Sequence, residues 1–149
     1  MQDGARLFAY TTWALMISLG IVVFTHQFFR FMDESLTIAL FILLGFGFLY
    51  FNLAFAAIKR YIKKVPAPTN NHFILGVTIF LPPFFWLIVT SDAYTQNELL
   101  ILLVLLISVA GGTHYGNISG IKARFEYVQK IKEYQKRAEE LERKKKSSN

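Results

Sequence analysis

The sequence predicts an all-α integral membrane protein: four transmembrane helices in a bundle of two antiparallel hairpins, followed by a C-terminal cytoplasmic amphipathic helix. Apolar residues make up 54% and charged residues 17% of the 149-residue chain, whereas soluble domains contain about 45–50% and about 25%. Four long apolar segments contain no charged residue, and most of the charge follows residue 120. We therefore divide the chain into a transmembrane domain, residues 1–120, and a basic helical tail, residues 121–149.

The four apolar segments each approach the length that a membrane-spanning helix needs, about 20 residues. They are residues 7–29, 36–58, 73–90 and 99–118. The third has 18 residues and must stand nearly upright. Helices that are apolar on all sides cannot face water. Because the connections at 30–35 and 91–98 are short, we expect the first two helices to form one hairpin and the last two another.

The basic residues predict which side of the membrane each connection occupies, since Lys and Arg favour the cytoplasmic side. Arg6 precedes the first span, four basic residues lie within the connection 59–71, and ten follow the fourth span. Only Arg30 lies on the other side. We expect cytoplasmic N- and C-termini and a multi-pass protein of a bacterial inner membrane. The first apolar run is too long for the core of a cleavable signal, so we interpret it as a retained anchor.

Helix four carries small residues at every fourth position: Ser108, Gly112, Gly116 and Gly120. We call this set the small-residue stripe. Without a hydrophobic force between helices in lipid, such stripes let two backbones approach closely. The stripe predicts a helix-packing surface, whose partner is either another helix of the same chain or a second copy.

Helix three contains Pro82 and Pro83 at mid-span. Each proline lacks an N–H and clashes with the carbonyl four residues earlier. The pair predicts a helix break that frees the carbonyls of Thr78 and Ile79. The break is either a moving or ligand-lining segment, as in transporters, or a static kink of the kind that membrane helices tolerate.

Polar side chains within a membrane are candidates for function. Asn52, His114 and Asn117 are expected at a similar depth near the cytoplasmic side. They predict either a small polar site or interhelical hydrogen bonds. His72 and His114 are the only histidine pair at one depth that could ligate haem. We expect no cofactor, metal or catalytic residue, because the chain has no cysteine, no carboxylate within a span and no nucleotide-binding or metalloprotease motif.

The tail contains ten basic and five acidic residues, a net charge of +5. Each of its glutamates has a basic residue four positions later, which favours a helix. Apolar residues follow at helical spacing, and we call six of them the tail stripe: Ile121, Phe125, Val128, Ile131, Tyr134 and Leu141. The tail is expected to lie on anionic lipid, to pair with a protein or a second copy, or to be a solvated extension. Its interleaved acids argue against nucleic-acid binding.

From these features we expect a non-enzymatic polytopic membrane protein, an accessory subunit or scaffold that docks a partner through its C-terminal helix. The alternative is a small oligomeric transporter or pore that uses the proline-containing third helix. In both cases the lipid bilayer surrounds the bundle, and association involves helix four and the tail.

Overall fold

The computed structural model describes residues 2–65, 70–90 and 96–147, and within these residues the chain is helical with no strand. The four helices are α1 (Gln2–Phe29), α2 (Leu36–Lys64), α3 (Asn71–Thr90) and α4 (Gln96–Ser147). All four are long and apolar enough to cross a membrane. The all-helical class and the four predicted apolar helices are thus confirmed. Parts of two predicted connections, residues 66–69 and 91–95, and residues 148–149 of the tail lie outside the described residues.

Two helices extend well past their predicted spans. α2 continues to Lys64, so the basic residues that were assigned to a connection lie on its last turns, and the buried Val65 caps it. At its other end the Ser35 hydroxyl accepts a hydrogen bond of 3.2 Å from the Ile38 amide, as an N-cap does. α4 runs without interruption from the fourth span through the tail. No glycine or proline follows Gly120, and the sequence there is rich in good helix formers.

The closest packing crosses the two predicted hairpins. α2 and α3 touch each other and both remaining helices, whereas α1 and α4 do not meet within the described residues. The most extensive interface joins α2 to α4, and the next joins α1 to α3. Alternate helices run in the same direction, so these are parallel pairs. The sequence-connected neighbours α1 and α2, and α3 and α4, also touch, as the two predicted hairpins require, but the larger interfaces lie between the hairpins.

The core lies along α2, whose Tyr50, Ile58 and Tyr61 have no exposed surface. Leu75 of α3 and Leu105 of α4 are equally buried against it. The outer faces of the helices are also apolar: Phe41 is 73% and Val89 81% exposed. Large apolar surfaces of this kind mark contact with a membrane or another protein.

The two ends of the bundle differ in charge. At one end, where α1 begins and α2 ends, Arg6 Nη1 donates a hydrogen bond of 3.0 Å to the Lys64 carbonyl. We call this the basic end. At the opposite end, Asn97 Nδ2 donates a hydrogen bond of 2.6 Å to Asp33 Oδ1 and joins α4 to the turn between α1 and α2.

Candidate functional site

The small-residue stripe of α4 lies against the backbone of α2. A Cβ added at Gly112 would lie 2.5 Å from the Phe51 carbonyl oxygen, and one at Gly116 would lie 2.9 Å from the Phe55 carbonyl oxygen. One at Gly120 would meet side-chain and backbone atoms of α2 at 2.8–3.2 Å. Only hydrogen atoms fit at these positions, which explains why α2 and α4 share the largest interface. The sequence left open whether the small-residue stripe packs against a helix of the same chain or against a second copy. In this structure it packs against α2 of the same chain.

Ser108, the first member of the stripe, faces a glycine of α2. A Cβ added at Gly47 would lie 2.9 Å from Ser108 Oγ. The close approach of the two helices therefore begins with a small residue on each side. At the later stripe positions the glycines are on α4 and the backbone of α2 is the surface that they meet.

α3 is helical throughout, including Pro82 and Pro83. The predicted helix break is absent, and this is a correction of the sequence-based expectation. Pro83 has no N–H to donate to the Ile79 carbonyl, but Ser18 Oγ of α1 donates to that oxygen at 2.6 Å. A hydrogen bond from another helix thus replaces the one lost at Pro83, and the helix continues through both prolines.

The same serine connects a third helix. Tyr50 Oη of α2 donates a hydrogen bond of 2.7 Å to the Ser18 carbonyl. Ser18, Tyr50 and Ile79 are all fully buried. The proline region is therefore tied into the core by a chain of hydrogen bonds through α2, α1 and α3, and its freed carbonyl at Ile79 is not available to a ligand.

His114 and Asn117 line a groove of about 370 Å³ between α3 and α4. His72 and Thr113 complete its polar part, and apolar side chains such as Phe80 form the remainder. Thr113 Oγ1 is buried and has no hydrogen-bond partner. The groove is partly open and presents polar groups at one end and apolar groups at the other.

Asn52 does not belong to this groove. Its side chain is exposed on α2, and its Nδ2 donates a hydrogen bond of 2.8 Å to the Phe48 carbonyl on its own helix. The predicted trio is therefore split, and His72 and Thr113 take the place of Asn52. Sequence reasoning had noted His72 only as one half of a haem pair and had missed Thr113, because a threonine in a helix usually bonds to its own backbone.

The tail leaves the bundle shortly after Gly120. Lys63 Nζ lies 5.7 Å from the centroid of the Tyr127 ring, a cation–π contact that holds the base of the tail against the end of α2. Every described side chain from residue 125 to residue 143 is exposed. The tail stripe is included: Phe125 is 66%, Tyr134 69% and Leu141 61% exposed.

These features define a class of protein: a bundle of four helices that are long and apolar enough to cross a membrane, one of which continues as a solvent-exposed helical tail. Comparison with protein-family models, with curated proteins and with solved structures finds no match to the chain. Among the described residues, no three histidines or carboxylates come together as a metal site.

Proposed function

We propose that this protein is a non-enzymatic membrane scaffold or accessory subunit: it spans the bilayer four times, with both ends in the cytoplasm, and docks a partner through its tail. One observation carries the proposal. α4 is a single helix from Gln96 to Ser147, and every residue of its tail stripe is exposed. A helix that continues out of the membrane and exposes apolar side chains at helical spacing is suited to recruit a second protein.

The orientation rests on the charges at the two ends of the bundle. Arg6, the last turns of α2 and the base of the tail share the basic end. Asp33 and Glu98 lie at the opposite end, near Arg30. Basic residues are retained on the cytoplasmic side during insertion, which favours a cytoplasmic basic end.

The continuity of α4 supports a tail that projects from the membrane. A spanning helix stands within about 20° of the membrane normal on average, whereas an interfacial helix lies in the membrane plane. A change between the two directions needs a sharp bend, and such bends occur at proline, at glycine or serine pairs, or at π-bulges. Ser119 and Gly120 form such a pair at the base of the tail, but α4 remains helical through them. The described tail is unbroken α-helix. Its 27 residues from 121 to 147 extend about 40 Å at 1.5 Å per residue.

The charge of the tail indicates the chemistry of its partner. In a pair of parallel tails each helix would carry a net charge of +5, and the repulsion between like charges opposes association. An amphipathic helix with acidic flanks would instead cover the tail stripe and compensate the charge. We therefore assign the tail to an acidic helical partner rather than to a second copy.

The proposal is tested by replacing part of the tail stripe in the full-length chain. Ile131→Ser, Tyr134→Ser and Leu141→Ser remove three exposed apolar side chains without touching the bundle. The protein is extracted from its native membrane with the surrounding lipid, and the mass of the intact complex is measured by native mass spectrometry. The wild type is expected to carry a stoichiometric partner of net negative charge, and the triple variant is expected to lose it. Deletion of residues 122–149 should have the same effect.

A matched control changes the opposite side of the tail: Gln129→Ser, Glu133→Ser and Lys136→Ser, which together leave the net charge unchanged. This variant should retain the partner. If the wild type is found only with a second copy of itself, the assignment to an acidic partner fails. If the protein supports flux across liposomes after the tail has been deleted, the transporter alternative replaces the scaffold.

A further inference from the structure

The basic end contains a pocket of about 1020 Å³ between α1, the end of α2 and the base of the tail. Four cationic side chains line it: Arg6 from α1 and Arg60, Lys63 and Lys64 from α2. No acidic residue is among its described lining residues. Side chains of one charge that converge on a concave surface concentrate the electrostatic field there. The pocket is therefore suited to an anion.

The remaining walls are largely aromatic. Tyr10 and Trp13 come from α1 and Tyr127 from the tail. Tyr10 is held edge-on against the buried Tyr61 at a ring separation of 5.8 Å. Lys63 lies over the Tyr127 ring, as described above. The aromatic side chains fix the shape of the pocket and supply apolar surface beside the charges.

The pocket adjoins the apolar outer face of α1. Trp13 is 39% exposed, and Met16, one turn further along the same side of the helix, is 65% exposed. Trp and Tyr rings of this kind favour the boundary between headgroups and acyl chains. A ligand in this pocket would have its anionic part among the cations and an apolar part along α1.

We infer that this pocket binds the headgroup of an anionic phospholipid that carries two phosphodiester groups. Basic pockets between membrane helices on the cytoplasmic side bind lipid headgroups of this kind. Arginine grips phosphate with two parallel hydrogen bonds, and lysine acts on it as a point charge. Four cations that converge on one pocket match two phosphates better than one, and the volume of the pocket exceeds what a single phosphate fills.

The site is separate from the tail stripe, so it does not depend on the proposed docking function. The two are adjacent through Tyr127, which is a wall of the pocket and a residue of the tail. A bound headgroup therefore contacts α4 where it leaves the bundle.

The test uses the full-length protein in a neutral detergent, titrated with cardiolipin, phosphatidylglycerol or phosphatidylcholine and followed by native mass spectrometry. The wild type is expected to bind cardiolipin most tightly and phosphatidylcholine not at all. Arg60→Gln with Lys63→Gln should weaken cardiolipin binding about thirty-fold, because each basic residue near an anionic lipid contributes about 1 kcal/mol. Both side chains are exposed, so the variant is expected to fold. The exchange Arg60→Lys with Lys63→Arg keeps both charges and should retain most of the affinity.

The matched control removes one lysine and one arginine from the exposed tail: Lys136→Gln with Arg137→Gln. It should change the affinity by less than about two-fold, because the tail cations lie outside the pocket. Equal weakening in both variants would show that total charge alone attracts the lipid and would overturn the site. Equal affinity for cardiolipin and phosphatidylglycerol, compared at the same concentration of lipid phosphate, would overturn the inference that the pocket binds two phosphates of one lipid. Displacement of the lipid by millimolar inorganic phosphate would identify a soluble ligand instead.

Discussion

The contact between α2 and α4 makes a sharp prediction for two adjacent glycines. A Cβ added at Gly112 would lie 2.5 Å from the Phe51 carbonyl oxygen and 2.9 Å from Ala54 Cβ. A Cβ added at Gly111 would lie 3.5 Å from the Phe51 ring, which is ordinary contact. Gly112→Ala should therefore force the helices apart, and Gly111→Ala should be accommodated.

The geometry sets the size of the effect. Carbon and oxygen atoms in such contacts are separated by at least about 3.3 Å, so the backbones must move apart by about 0.8 Å near Gly112. A gap of about 0.5–1 Å removes a quarter to a half of the dispersion energy of the atoms on either side. Overpacking of this kind costs about 1–3 kcal/mol. Both variants gain the same helix propensity of about 1 kcal/mol from alanine, so this gain cancels when they are compared.

The assay is reversible unfolding of the purified protein in mixed micelles of a mild detergent and sodium dodecyl sulfate, followed by circular dichroism. Gly112→Ala is expected to be about 1–3 kcal/mol less stable than Gly111→Ala. Gly45→Ala, which would have nothing within 4 Å of its Cβ, should behave as Gly111→Ala does. If Gly112→Ala is as stable as Gly111→Ala, the glycine contact between α2 and α4 does not exist as described.

Three further predictions use the same unfolding measurement. Ser18→Ala should lower the free energy of unfolding by about 1–2 kcal/mol, because it leaves the Ile79 carbonyl without a donor. Adding Pro83→Ala should recover about 1 kcal/mol, because it restores the helical N–H. If the two substitutions instead lower the stability additively, the role given to Ser18 is contradicted. Thr113→Val removes a buried hydroxyl that has no hydrogen-bond partner and should be neutral or stabilising by up to about 1 kcal/mol. A clear loss of stability would show that this hydroxyl does make a hydrogen bond. Gly76→Ala should destabilise the protein less than Gly112→Ala does, since the added Cβ would meet the movable Thr113 hydroxyl at 2.8 Å. Equal loss of stability in the two variants would mean that the Thr113 side chain cannot rotate.

The candidate sites were only partly foreseeable from the sequence. The small-residue stripe was readable because a period of four places glycines on one side of any helix, whichever partner they meet. The proline pair was misjudged, since proline chemistry predicts a lost hydrogen bond but does not reveal that Ser18, 61 residues before Ile79, replaces it. The polar trio was misjudged for a related reason: the height of a residue along the bundle follows from its position in the sequence, but the direction in which Asn52 points depends on the rotation of α2.

The sequence by itself determined the number of helices, their approximate limits and the segregation of charge, because apolar length and charge are local properties that each segment carries whatever its neighbours are. Only the tertiary structure decided that α2 pairs with α4 across the hairpins. It also decided that Ser18 completes α3, that His72 and Thr113 join His114 and Asn117, and that four cations converge in one pocket. Each of these depends on which helix faces which and at what rotation. Between α2 and α4, close packing of small residues sets both, and no single segment of the chain contains that information.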